Sequence, residues 1–468
     1  MTDVYQAIDQ SLWKKDILRL GKKHDNELVE AAYIQESGWT EIENLVSTEI
    51  LFLEILAFTG LQNGTIEFDS THLSQILHHF ANILPGFLPK YFAARYFVRQ
   101  WKANKPLKYL ALNGQKNENT TPIEAIQFLR ENKYTARYDI LWRFVAGLLD
   151  AEGKAEKFFQ AIEDEPHDLL GPTHQRLVMH CLSEVSTEMS LRKRLEVKLK
   201  EWLQFEYKFT GKTRLAREVE FPESALLDTM QEVGIDEKIR ILKWVATRPT
   251  IPPPIVILVT SWLEDGEFTT GKKDVLIALQ AQSRLSDELL TAVIARLGDK
   301  NTDVRPAASR VLRAQSSLSD ELLTAIVARL GDENVNVRQA ASDVLQVQSS
   351  LSDELLTAVI ARLGDEDWKL RKAASGVLQA QSSLSDELLT AVVARLGDEN
   401  WSVRKAASDV LPTQSSLSDE LLTAVIARLG DENVDVGKAA LGVLQAQSSL
   451  SDELLTAVVA RLGDENVD

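Results

Sequence analysis

The 468-residue chain has one cysteine, Cys181, so it can form no internal disulfide, and a single thiol fits a reducing compartment. No apolar run reaches the ~18 residues that a membrane span needs. The first sixteen residues lack the charged, apolar and small-residue order of a secretory signal. Positive charge is also short, with 52 Lys and Arg against 69 Asp and Glu and a net charge of −17. Such a surface repels phosphate backbones, which argues against nonspecific nucleic-acid binding. These absences predict a cytoplasmic protein without a membrane or nucleic-acid partner.

Signatures of catalysis and cofactor binding are missing too. The seven histidines, His24, His72, His78, His79, His167, His174 and His180, form no HExxH and are joined by no cysteine cluster. Gly266 to Lys273 nearly spells a P-loop, but Lys273 stands where a Ser or Thr should hold magnesium, and a helical pattern precedes it in place of a strand. Gly211-Lys212-Thr213 has the ending of that motif without its first glycine. The expectation is no metal, no cofactor and no enzyme. Cys181 sits in a helical pattern and reads as a buried structural thiol.

What the chain does have is repetition. Leu-Ser-Asp-Glu-Leu-Leu-Thr-Ala begins at Leu285, Leu318, Leu351, Leu384, Leu417 and Leu450, and Arg-Leu-Gly-Asp follows every time. A constant period of this kind is the mark of a solenoid. Within the first copy, Ser286 stands at an N-cap, Asp287 and Glu288 load the first turn with negative charge, and Leu285 and Leu290 have the spacing of a hydrophobic staple. A helix follows through Leu289, Leu290, Val293, Ile294 and Leu297, with Gly298 expected as its C′ glycine. A second helix carries Val304, Ala307, Ala308, Val311 and Leu312 at one-sided amphipathic spacing. Pro306 falls in its first turn, where a missing N–H costs little.

This pattern, Asp followed by Val-Arg-x-Ala-Ala-x-x-Val-Leu, resembles the HEAT repeat over residues 285–468. The resemblance implies a ladder of Asp and Arg along the inner turns, here Asp299 with Arg305, Asp332 with Arg338, Asp365 with Arg371, and Asp398 with Arg404. Gly437 takes the Arg place beside Asp431, weakening that helix by about 1 kcal/mol relative to alanine. The chain stops at Asp468 before the sixth copy's second helix, so an open, uncapped end capable of self-association is expected.

Upstream the pattern is helical but irregular. Helices are expected at Tyr5 to about Leu20 and Glu41 to about Phe58, then an Asn63-Gly64 turn with a short strand Ile66 to Phe68, then a helix to about Ile83, the order of a winged-helix-like unit. Thr121-Pro122-Ile123-Glu124 reads as an N-cap, a first-turn proline and a capping-box glutamate, with further helices from Tyr138, Lys157, Thr173 and Leu191. The segment Tyr91-Phe92-Ala93-Ala94-Arg95-Tyr96-Phe97 resembles the stretch after the winged helix in NACHT-type NLR (STAND) receptors. Trp142 to Leu149 and His174 to Leu182 are similar to their helical region. Leu88-Pro89-Lys90 departs from the family's Phe-Gln-Glu, and the family's NTPase is missing from this sequence. The resemblance implies the sensor half of such a receptor.

The expected fold is therefore all-α. It comprises a winged-helix-like region 1–105, an irregular helical region 106–251, a degenerate repeat 252–284 and a HEAT-type solenoid 285–468. Against this constant frame a few positions change. Thr302, Val335, Trp368, Trp401 and Val434 share one place, followed by Asp303, Asn336, Lys369, Ser402 and Asp435, then Pro306, Gln339, Lys372, Lys405 and Lys438. Repeat proteins make binding surfaces in this way, and tryptophan is a common interface anchor. Trp368, Lys369, Lys372, Trp401 and Lys405 are the candidate ridge for a protein ligand, though the tryptophans would serve equally as lids on the core between repeats. The expectation is a non-enzymatic interaction scaffold. The alternatives are a HEAT-repeat lyase-like enzyme or a truncated receptor remnant.

Overall fold

The computed structural model describes residues 1–468 apart from 25–26, 64–88, 109–121, 168–171, 187–190, 267, 269–270, 349–350, 382, 415–416, 432, 448 and 463–468. The fold is all-α: among the described residues the only sheet is a two-residue antiparallel hairpin, Lys23–His24 with Glu27–Leu28. The chain divides into two compact units, residues 1–232 and 233–468.

Unit 1 begins with the helix Thr2–Arg19, which ends at Gly21 in a left-handed turn (φ +57°). The continuous helix expected from Glu41 to Phe58 is two helices, Trp39–Leu45 and Ser47–Asn63, bent by 78° at Val46. The bend has a packing reason. It lets Ile42, Val46 and Ile50 enter one small core with Trp13, Ile17 and Ile34. Helicity continues to Asn63; the expected strand Ile66 to Phe68 and the helix after it lie outside the described residues.

The receptor-like segment lies in the helix Pro89–Ala103, which packs against Ser47–Asn63 and Asp139–Asp150. Tyr91, Phe92, Ala93, Ala94, Tyr96 and Phe97 are all buried there. Packing alone therefore accounts for those apolar residues. The helix expected from Thr121 starts later, at Ala125 with Glu124 as its N-cap, because Ile123 is drawn into an extended bridge whose carbonyl accepts the Leu107 N–H at 2.8 Å. The helices Ala155–Glu163, Thr173–Leu182, Arg192–Thr210 and Glu223–Glu232 complete the unit.

Unit 2 is an α-solenoid of paired helices. Irregular helices Ile235–Val245, Pro253–Glu264 and Lys272–Leu279 lead into the regular array, whose first helices are Asp287–Ala295, Asp320–Arg329, Asp353–Ala361, Asp386–Ala394, Asp419–Ala427 and Asp452–Leu462. The second helices are Val304–Arg313, Val335–Leu345, Trp368–Gln379, Trp401–Val410 and Val434–Gln445. In the first pair Leu289, Leu290, Val293, Leu297, Val304, Ala307, Ala308, Val311 and Leu312 are all buried, and the Ala pair brings consecutive second helices together. The near P-loop follows the helix Pro253–Glu264, not a strand, and its Lys272 and Lys273 open the next helix, Lys272–Leu279.

Two local expectations change. Gly298 closes a right-handed 3-10 turn, Arg296–Gly298, and does not take the positive φ of a C′ glycine. Ser286 occupies the N-cap, but its hydroxyl makes no capping hydrogen bond; in two other copies that serine reaches the neighbouring repeat, Ser319 Oγ donating to Asp287 and Ser385 Oγ to Asp353 at 3.0 and 2.8 Å. Among the described residues no single helix is long and apolar enough to cross a membrane.

Candidate functional site

Three rows of hydrogen bonds hold the candidate ridge in place. The first is made by the paired residues the repeat motif singles out. Arg305, Arg338, Arg371 and Arg404 are buried and donate from Nη1 to the main-chain carbonyls of Asp299, Asp332, Asp365 and Asp398. The Asp carboxylates do different work. Oδ1 accepts the N–H two residues on, while Oδ2 pairs with the Arg of Arg-Leu-Gly-Asp, from Arg296–Asp299 at 3.4 Å to Arg428–Asp431 at 4.0 Å. Arg338 also crosses to the next repeat, its Nη2 lying 2.6 Å from Asp367 Oδ2.

The second row consists of buried glutamines. Gln381 Oε1 accepts the Leu351 N–H at 3.2 Å while its Nε2 donates to the Gln348 carbonyl at 3.3 Å. Gln315 does the same with Leu285 and Gln282, at 2.9 and 3.0 Å. The third row joins the second helices directly, Ser309, Ser342 and Ser375 donating to the carbonyls of Ala340, Ala373 and Ala406 at 3.2–3.3 Å. Buried polar groups that bond from one repeat to the next make the frame specific.

On this frame Trp368 and Trp401 occupy the first position of consecutive second helices, and they are 58% and 57% exposed. The N-caps set their direction: Asp367 accepts from the Lys369 N–H and Asn400 from the Ser402 N–H, both at 2.9–3.0 Å. Lys369 Nζ lies 5.8 Å from the Trp368 ring centroid, Lys372 is exposed, and Lys405 sits 3.5 Å from Asp409. Both indoles thus stand in solvent, that of Trp368 beside the Lys369 ammonium group.

Unit 1 holds two clefts that no sequence motif announces. One, of about 760 Å³, surrounds Arg95. Arg95 Nη1 is 2.6 Å from Asp9, its Nε 3.1 Å from Glu54, and its Nη2 also pairs with Glu43; Arg99 Nε reaches Glu54 at 2.9 Å. Burial raises the Asp9 carboxyl to about 6 despite Arg95. The other, about 390 Å³, is lined by Glu163, His174, Gln175, Lys198 and Trp202 among others. His174 Nδ1 lies 2.9 Å from Tyr134 Oη and its Nε2 2.9 Å from Glu163 Oε1. Burial alone would raise the Glu163 carboxyl, but hydrogen bonds from His174 and Lys198 outweigh it and bring it to about 2.

His180, Glu218 and Glu220 form a separate group whose ligand atoms lie within 4.8 Å of one another. Each already has a partner within the protein, Asp139 at His180 Nδ1 (2.9 Å), Arg176 at Glu218 and Arg143 at Glu220 (both 3.0 Å). Cys181 beside them is fully buried, and burial pushes its thiol well up.

The sequence matches no protein-family model and no curated protein. Among solved structures it is similar to an engineered protein (17% identity, 73% of this chain and 92% of that one, TM-score 0.31). It is also similar to Kap121p (13% identity, 98% of this chain and 50% of that one, TM-score 0.32). Human deoxyhypusine hydroxylase in complex with glycerol is a third (14% identity, 59% and 99%, TM-score 0.23).

Proposed function

We propose that the chain is a non-enzymatic scaffold whose solenoid binds a protein partner through the ridge of Trp368, Lys369, Lys372, Trp401 and Lys405. The observation that carries this reading is the pair of exposed tryptophans at one position of two consecutive repeats. An exposed indole is costly to keep in water and contributes strongly when a partner covers it, so two in register form the centre of an interface. The solenoid is acidic overall, 29 Asp and Glu against 17 Lys and Arg from Leu285 to Asp468, yet lysines cluster at these tryptophans. These lysines favour a partner segment with acidic side chains flanking apolar ones.

Random peptides displayed on phage and selected on the full chain test this. Enriched peptides should carry acidic and apolar residues, and Trp368→Ala with Trp401→Ala should abolish their binding without lowering the melting temperature. Selected peptides that bind the double variant as well as the parent would overturn the ridge.

The proposal extends to unit 1 through its resemblance to the NACHT-type receptors: unit 1 belongs to the sensor part of such a receptor and itself binds no nucleotide. Stoichiometric ATP binding by the purified chain would sink that extension and leave the ridge untouched.

A further inference from the structure

We infer that the exposed face of the helix Arg192–Thr210 in unit 1 docks on an anionic phospholipid surface, with its aromatic rings entering the headgroup layer. The observation that asks for a partner is a row of rings in water. Trp202, Phe205 and Phe209 are 37%, 51% and 78% exposed, and Val197 on the same helix is 53% exposed. The rings hold one another: Trp202 meets Phe205 edge to face with centroids 5.1 Å apart, and Phe205 lies nearly parallel to Phe209 at 5.5 Å. At about 100° per residue the three fall within about 60° of one another, while Leu195, Leu199 and Leu203 are buried on the adjoining side. Single apolar residues scattered over a surface need no explanation, but a contiguous row does.

Charge selects the partner. Residues 192–217 carry nine Lys and Arg against three Glu, in a unit whose residues 1–232 carry 28 basic and 34 acidic side chains. Arg192, Lys198 and Lys200 are engaged by Glu196, Glu163 and Glu232. Lys193, Arg194, Lys208, Lys212, Arg214 and Arg217 are exposed and, among the described residues, make no ion pair. Arg194 and Lys208 lie within about 60° of Phe205 around the helix, and Lys212 follows Phe209 through the left-handed turn at Gly211 (φ +67°). Glu201 is the one exposed acid of the three. The chain's charge of −17 hides this segment, because at physiological salt exposed charges farther off than about 8 Å are largely screened.

The rings favour lipid over other anionic partners. Phe205 and Phe209 have no polar handle, line neither cleft of unit 1 and stand out from the helix surface. A bilayer interface meets both needs at once, with anionic headgroups for the ammonium and guanidinium groups and an apolar layer below them for the rings. Tryptophan suits the headgroup level and phenylalanine the depth beyond it. The nearly parallel Phe205 and Phe209 rings already face each other, which leaves less open ring for nucleobases to stack on. A helix lying in the interface needs no spanning run, so the shortage of long apolar segments does not oppose this contact.

Co-sedimentation of the full chain with vesicles tests the inference, using phosphatidylcholine alone and phosphatidylcholine with about 30% phosphatidylserine. The chain should bind the anionic vesicles at least about tenfold more tightly, and about 0.5 M salt should remove most of that difference. Phe205→Ala with Phe209→Ala should weaken binding by about tenfold or more, and Lys208→Gln with Lys212→Gln by about tenfold. All four side chains are at the surface, and an unchanged melting temperature would verify that each pair of substitutions keeps the fold. No binding to the anionic vesicles would overturn the inference. So would equal binding to both kinds of vesicle, or binding indifferent to the phenylalanine pair. Tighter binding of a single-stranded oligonucleotide, lost in the same variants, would give this face to nucleic acid and overturn the lipid assignment.

Discussion

A Cβ placed on Gly397 would lie 2.8 Å from Nη1 of Arg428, one repeat further along. The same relationship joins Gly298 with Arg329, Gly331 with Arg362, Gly364 with Arg395 and Gly430 with Arg461, at 2.9 to 3.4 Å. Glycine is there because an arginine of the next repeat lies across it, and its φ is not positive. Only the tip of a flexible side chain has to move, and the ion pair that tip makes with Asp431 spans 4.0 Å at a half-exposed site. Gly397→Ala should therefore cost less than about 1 kcal/mol. A loss above about 2 kcal/mol in urea unfolding would show that the arginine row supports the stack.

The buried glutamines should behave differently. Replacing Gln381 by Leu preserves bulk but strands the Leu351 N–H and the Gln348 carbonyl between repeats. Each stranded group costs about 1–3 kcal/mol. Because a solenoid loosens repeat by repeat, the effect should appear as faster amide exchange at residues 351–361 and 386–394, with the irregular helices before Leu285 unchanged. Uniform acceleration along unit 2 would contradict this local account.

These two rows show which parts of the fold the sequence discloses. The period of 33 residues, the Ser-Asp-Glu starts and the Val-Arg-x-Ala-Ala spacing locate every helix of the array, because each depends on short-range physics. The glutamine row escapes such reading. A Gln before two serines looks like an ordinary loop residue, and in near-identical copies its recurrence does not distinguish it from its neighbours. The clefts of unit 1 are harder still. Tyr134 and His174 are 40 positions apart, as Arg95 and Glu54 are 41 apart, and only tertiary packing joins them. The bend at Val46 has the same origin: local periodicity favours one helix, and the small core around Ile42 and Ile50 overrides it.

The fifth repeat offers a gain. Gly437 stands in the helix Val434–Gln445 where the other copies have a buried arginine, and its Cβ position is 3.1 Å from the Leu429 carbonyl. Equivalent turns elsewhere accommodate Arg305, Arg338, Arg371 and Arg404. Gly437→Arg should therefore fit after a shift of a few tenths of an ångström and donate to the Asp431 carbonyl, as Arg404 donates to Asp398 at 2.8 Å. Helix propensity adds about 1 kcal/mol and the hydrogen bonds about as much again. Exchange of the amides in Val434–Gln445 should slow by about tenfold or more; unchanged or faster exchange would mean that the carbonyl does not yield.

The ridge tryptophans should be neutral for folding. Trp368 and Trp401 project from first-turn positions whose capping hydrogen bonds use the Asp367 and Asn400 side chains, not the indoles. Alanine at both sites should change stability by less than about 0.5 kcal/mol. A drop of several degrees in melting temperature would mean that the rings cover the core between repeats and are unavailable to a partner.

Asp9 should make unit 1 sensitive to pH in a direction opposite to ordinary acid unfolding. It is 1% exposed and shares Arg95 with Glu43 and Glu54, so three carboxylates face Arg95 and Arg99. Burial is the largest influence and raises its carboxyl to about 6. An acid with a raised folded pKa keeps its proton in the folded chain while the unfolded chain has already lost it. Its contribution is therefore complete below about pH 4 and is lost as pH rises through about 6. The full difference is on the order of 3 kcal/mol. Asp9→Asn does not titrate and keeps an acceptor toward Arg95. Its stability relative to the parent should rise between about pH 4 and pH 7, read from amide exchange in Thr2–Arg19 and Pro89–Ala103. A difference that stays flat over that range would mean that Asp9 is ionised throughout and that its ion pair with Arg95 outweighs burial.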